Sequence, residues 1–282
     1  MPDRESKSGN ATLARSQESH RYLDEAGDTT FFGRGHTPAI GIEKGVSLCF
    51  ILGMVKFRSP LDTVRTEIEA LAADITNDSY LSRIPSIAKK VAAGRFYFHA
   101  TDDPPEVRMQ FYKFIAGLDM SYEGIVGRKI PRMFMRNHAG SEANFYADVL
   151  SHLLKNKLQT GDRLVLTVSE RGNTTRDEVL HKALALATER LHKKRPAADV
   201  KTEVVFNVQS HRTEPLLNVA DYACWAVQRV FERGETRYYD FVEQKVALVV
   251  DLYDRAKWLG NRNYYTHRNR LSPGNKIGPP SY

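Results

Sequence analysis

The chain alternates between two hydrophobic periods. Arg163–Ser169 (Arg-Leu-Val-Leu-Thr-Val-Ser) is short, apolar and β-branched, which predicts a strand. Val46–Phe57 is a longer apolar run with β-branched and aromatic members, and it predicts a buried strand. Arg21–Glu25 alternates into a short strand that stops at Ala26-Gly27-Asp28. Arg95–Ala100, Tyr122–Pro131 and Lys201–Gln209 complete the predicted strands. Elsewhere the spacing is helical. Ser59-Pro60 opens a helix to about Ile75, with Ser as N-cap and Pro in the first helical position. Met109–Leu118 predicts a short helix, and Ser141–Lys157 gathers Phe145, Val149, Leu150, Leu153 and Leu154 on one face. Thr175–Lys193, Pro215–Arg233 and Tyr238–Leu259 are the remaining predicted helices, and Gly234 stands just past the second of these.

Strands first, then strand and helix in alternation, predict an α/β fold: a mixed sheet flanked by helices. The second half suits right-handed parallel crossovers, with a ligand site where strand ends meet helix starts. The polar stretch 1–19 reads as a disordered leader, 20–257 as one domain and 258–282 as a tail. No run approaches ~18 apolar residues, and the N-terminus lacks an apolar signal core, so no membrane span and a cytoplasmic location are expected. The two cysteines, Cys49 and Cys224, sit in apolar runs without metal-ligand spacing. The net charge of +7 favours a polyanionic partner.

Against this background three acids stand out. Leu217, Ala220, Cys224, Val227 and Phe231 define the apolar face of the Pro215–Arg233 helix, and Asp221 lies on that face. A carboxylate there must be paired, hydrogen-bonded or bound to a metal. Asp24 shares a strand face with Tyr22 next to Gly27, facing a site or forming a turn. Glu170 ends the strand Arg163–Ser169 and is either a third site acid or an exposed loop acid. Oxygen ligands of this kind suit Mg²⁺ or Mn²⁺. Two such ions, roughly 3.5–4 Å apart, support phosphodiester cleavage.

The segments Tyr22-Leu23-Asp24-Glu25-Ala26-Gly27-Asp28, Phe98-His99-Ala100 and Leu217-Asn218-Val219-Ala220-Asp221-Tyr222 resemble the bacterial family catalogued as domain of unknown function 3800. So does the stretch Ala226 to Tyr239, and the resemblance spans about residues 20–250. That family is regarded as RNase H-like in fold and is taken to be a nuclease. The resemblance implies a mixed sheet flanked by helices, with a helical insertion, and a metal-dependent two-ion nuclease site with Asp24 and Asp221 as its first-strand and last-helix acids. One departure is Leu217-Asn218, where the family commonly has Leu-Gln. Glu170 stands where other RNase H-like enzymes often carry Asp. Glu142 has the topological position of their fourth acid, or else simply favours the helix dipole beside an N-capping Ser141. His99, within the family motif, either orients a phosphate or is a hydrogen-bonded structural residue.

The tail from Arg255 to Tyr282 carries Arg255, Lys257, Arg262, Arg268, Arg270 and Lys276 and no acid, interleaved with Trp258, Tyr264 and Tyr265. Cations for phosphates and rings for bases suit DNA or RNA, so Arg262, Arg268, Arg270 and Lys276 are candidate nucleic-acid contacts. The plain alternative is a basic end that serves solubility. Besides a nuclease, with or without an activating protein partner, the pattern is compatible with a non-catalytic nucleic-acid-binding or regulatory protein of the same fold. The oligomeric state has no signature in the sequence.

Overall fold

The computed structural model describes residues 18–158, 163–170, 177–196 and 202–280. Among these the chain runs β1 (Glu18–Ala26), β2 (Cys49–Phe57), α1 (Leu61–Asn77), α2 (Pro85–Ala92), α3 (Pro105–Gly117), β3 (Met120–Arg128), α4 (Pro131–His138), α5 (Glu142–Leu154), β4 (Arg163–Ser169), α6 (Asp177–Lys194), β5 (Glu203–Gln209), α7 (Leu216–Arg233), α8 (Tyr239–Val242), β6 (Val246–Asp251) and β7 (Tyr264–Tyr265). The strands form one mixed seven-stranded sheet in the order β5-β4-β1-β2-β3-β6-β7. β2 lies antiparallel to β1 and β3, whereas β4 runs parallel to β1 and β5 parallel to β4. β6 is parallel to β3, and β7 is antiparallel to β6. No helix among the described residues is long and apolar enough to cross a membrane.

Each sheet face has its own core. Tyr22, Ala26, Ile51, Val55, Tyr122 and Val126 face α1, α3 and α7. Leu23, Phe50, Leu52, Ile125, Leu164 and Leu166 face α5 and α6. Central strands covered on both sides are apolar at both parities, which is why β2 reads as an unbroken apolar run. The α1–α3 region enters between β2 and β3, so the predicted helical insertion sits on the α7 face.

α7 lies close on the sheet, with every residue from Leu216 to Val227 buried. Gly53 on β2 and Gly124 on β3 are register partners, and the gap they leave is filled by Tyr122. A Cβ on Gly53 would come within 2.4 Å of the Tyr122 hydroxyl and 2.7 Å of Cys224 Sγ. Gly53 is also the register partner of Asp24. The helix ends at Gly234, whose φ of 69° suits a residue without a side chain.

Three expectations need correction. Arg95–Ala100 is not a strand. Phe96, Phe98 and Ala100 are buried alternately, which produced the period-2 signal, but polar side chains satisfy its backbone: Lys90 Nζ donates to Tyr97 O (3.0 Å) and the Ala100 amide donates to Asp221. Tyr238–Leu259 is not one helix. Only α8 is helical at its start, and the β-branched run Val246-Ala-Leu-Val-Val pairs with β3 instead. Helix α2 lies outside every predicted element, and α4 begins at Pro131, where the predicted strand Tyr122–Pro131 ends; a proline opens each. The leader falls outside the described residues except for Glu18 and Ser19, which already belong to β1.

Candidate active site

Alternation along β1 puts Asp24 on the Tyr22 face, beneath α7, where it is 3% exposed. Oδ1 takes two donors and Oδ2 one, which leaves Oδ2 a further acceptor site. Ser169 at the end of β4 donates its hydroxyl to Oδ1, the Glu25 amide donates to the same oxygen (2.8 Å), and His211 Nε2 lies 2.6 Å from Oδ2. α7 is tied to the same residue by Cys224 Sγ, 3.3 Å from the Asp24 carbonyl oxygen.

Asp221 lies three residues before Cys224, on the same face of α7, and is 5% exposed. The Ala100 amide donates to Oδ2 at 2.6 Å. Burial pushes its carboxyl up to about 6; the His99 and His211 charges pull against the rise and Asp24 adds to it. The two acids identified from sequence therefore share one buried site and repel each other.

Asp103 holds the approach to this pair. It receives Lys90 Nζ (2.7 Å), the Tyr222 hydroxyl (2.6 Å) and the His99 amide (2.8 Å). That anchors residues 99–103 to α7 and sets the Ala100 amide against Asp221. The His99 ring stands edge-on to that of His211, centroids 5.9 Å apart, with Nδ1 3.2 Å from Asp102 Oδ2. Burial pulls the His211 imidazole down, but its hydrogen bond to Asp24 and the charge of that acid outweigh burial, leaving it raised above its ordinary value.

The other candidates lie elsewhere. Glu170 is exposed, with its amide paired to Gln209 O (2.8 Å); Ser169, one residue earlier, is the β4 residue that reaches Asp24. Glu142 accepts from the Thr29 hydroxyl (2.5 Å) at the start of α5, which covers the opposite face of the sheet. Beside them, Asp28, which the sequence marks only as part of the turn after β1, accepts from the Ser47 amide (2.7 Å) and Lys129 Nζ (2.9 Å). Arg262, Arg268, Arg270 and Lys276 are exposed near the β7 edge and the segment after it, and Arg270 is paired with Glu243 at 2.5 Å.

Ser169 and His211 were missed by sequence reasoning. Ser169 had a signal: Leu164, Leu166 and Val168 take one face of β4, which leaves Ser169 facing Asp24. His211 had only its place, between a strand end and a helix start.

The acid pair fits one hard divalent cation. Asp221 Oδ1 accepts no hydrogen bond among the described residues, so one oxygen of this buried carboxylate is left for a cation. Mg²⁺ is commonly carried by one or two carboxylates, water and substrate phosphate. A larger set is not assembled: no three Asp, Glu, His or Cys side chains among the described residues are grouped to hold a metal. Compared with models of known protein families and with curated proteins, the chain matches none.

Proposed function

We propose that this chain is a Mg²⁺- or Mn²⁺-assisted nuclease of RNase H-like type, related to the domain of unknown function 3800 family, with Asp24 and Asp221 as its metal-holding acids. The observation that carries the reading is the buried Asp24–Asp221 pair, with the Asp221 carboxyl raised to about 6. Perturbed buried acids of this kind cluster at functional sites. The topology is compatible with it: a mixed sheet flanked by helices, with one acid on its first strand and one on the late helix, as the resemblance implies.

A bound cation would supply positive charge to a scissile phosphate. The chain's own groups do the rest. Asp24 and Asp221 set the binding position. Ser169 and the Glu25 amide fix the Asp24 carboxylate, and the Ala100 amide fixes that of Asp221. His211, held by Asp24, places an N–H donor beside the acids for a phosphate oxygen or a departing oxygen. Glu170 and Glu142 take no part, which distinguishes this site from a four-acid, two-ion centre.

Asp221→Asn tests the reading. It keeps size and hydrogen bonding and removes the charge that a cation needs. Cleavage of single-stranded, duplex and hybrid substrates should depend on added Mg²⁺ or Mn²⁺ and fall by at least a hundredfold in the variant, while nucleic-acid binding in a chelator persists. Cleavage that survives the chelator, or survives the substitution, refutes it. The exposed positions of Glu170 and Glu142 favour a second reading, a nucleic-acid-binding protein without chemistry. Wild-type binding with no cleavage in any metal selects that reading.

A further inference from the structure

Beside the acid pair lies a cavity of about 250 Å³ between α1, α2, the 95–98 segment and the start of α7. This is below the roughly 300–1,000 Å³ of clefts that hold drug-sized ligands, and it has room for one flat ring system. Its walls are apolar and aromatic, with Ile68, Ala72, Val91, Phe96 and Tyr97. Two cations stand at it. Arg95 is paired with Glu69 at 2.5 Å, and the Arg212 guanidinium lies 5.8 Å from the centre of the Tyr97 ring.

Two features connect the cavity to the acids and to a ligand. His211 belongs to its wall and also bonds Asp24, so the cavity opens next to the proposed phosphate position. Asn218 is 1% exposed and also contributes to the wall. Its Nδ2 donates to His211 O (3.2 Å) and Pro215 O (2.6 Å), which fixes the amide orientation and leaves Oδ1 a buried acceptor with no donor. A buried acceptor without a partner is costly, and a ligand N–H would satisfy it.

We propose that this cavity is a nucleobase subsite: it takes one unpaired base of a single-stranded substrate against its apolar and aromatic wall, with an amino group directed to Asn218 Oδ1, while the neighbouring phosphate lies at Asp24 and Asp221. The last clause rests on the nuclease reading; the base-binding role does not. A duplex keeps its bases stacked inside and presents none to such a cavity. The subsite therefore selects single strands, as aromatic platforms do. Arg212 serves the backbone phosphate at the rim.

The test is fluorescence anisotropy of the full chain, in chelator, with labelled single-stranded DNA and RNA octamers. Octamers carrying one abasic position and the matching duplexes are measured beside them. Val91 is 47% exposed, so Val91→Trp fills the cavity without burdening the core. We expect one abasic position to cost the wild type about tenfold in affinity, in line with one stacked base. Val91→Trp should lose the same factor for intact strands, show no further loss at any abasic position, and leave duplex binding unchanged. Abasic positions that are all neutral in the wild type, or Val91→Trp binding intact strands as the wild type does, overturn the subsite. Cleavage without base dependence removes the subsite and leaves the nuclease. Base-dependent binding without cleavage in any metal does the reverse, and no binding to any strand removes both.

Discussion

Asp221 is where a residue's environment has the plainest thermodynamic consequence. Burial, opposed by the His99 and His211 charges and aided by Asp24, lifts its carboxyl from the ordinary 3.8 to about 6. The folded state therefore holds this proton more tightly than the unfolded chain does. Ionisation removes stability as the pH rises from about 4 to about 6, and above that window the penalty is constant at about 3 kcal/mol. Asp221→Asn should thus melt above the wild type at pH 8 in a chelator, with the gain vanishing below about pH 4. Calorimetry across that range checks it; a variant no more stable than wild type at pH 8 would mean that the charge is already balanced. A carboxylate retained at such a cost is evidence for a role other than folding. The position of Asp221 was legible because an acid breaks the apolar face of a helix, and that of Asp24 because strand alternation and Gly27 mark a strand end. Ser169 was legible only in hindsight, once it was known which parity of β4 faces Asp24.

At the scale of elements, the site depends on how closely α7 sits on β1 and β2. Gly53 and Gly124 make that approach possible, since the Tyr122 ring and Cys224 occupy the space a side chain would need. Gly53→Ala must displace one of them. Overpacking of this kind costs about 1–3 kcal/mol, and moving α7 carries Asp221 away from Asp24. We expect a melting temperature lowered by several degrees and cleavage reduced more than binding; a variant that is neutral in both would show that α7 has slack. The strand Arg163–Ser169 was legible to the residue because its apolar run is bounded by polar sequence on both sides. Two failures have the opposite cause. Residues 95–100 alternate because they lie on a core with one side, not because they pair in the sheet. Val246–Asp251 joins a helix-like pattern on its N-terminal side, and only long-range pairing with β3 decides its state. Tertiary partners more than a hundred residues away leave no mark in local periodicity.

For the molecule as a whole, the open matter is what the positive charge does. Six of the cations lie between Arg255 and Tyr282, a stretch with no acid, against a net charge of +7. Its described part, up to residue 280, is packed on the domain. β7 extends the sheet, Tyr265, Leu271 and Ile277 are buried, and the Ile277 amide donates to Phe231 O at 2.9 Å. Deleting it would strip cover from α7 and α8, so a loss of binding after truncation would say nothing about charge. Arg262, Arg268 and Lys276 remain exposed, whereas Arg270 is spent on Glu243. Four strand steps separate β1 from β7, about 19 Å at ~4.8 Å per step. On the proposed nuclease reading, cations at that edge would meet phosphates several nucleotides from the scissile bond. Replacing Arg262, Arg268 and Lys276 together with Gln should therefore weaken binding of a long single strand several-fold. The slope of log affinity against log salt should become shallower by up to about two, because each neutralised phosphate contributes about 0.7. The turnover rate at saturating substrate should not change, since no residue of the acid pair is touched. Trinucleotides, too short to span both places, should bind the variant as they bind wild type. An unaltered salt slope on long strands would assign this basic edge to packing alone, and a loss confined to turnover would mean that it reaches the acids by a route other than charge.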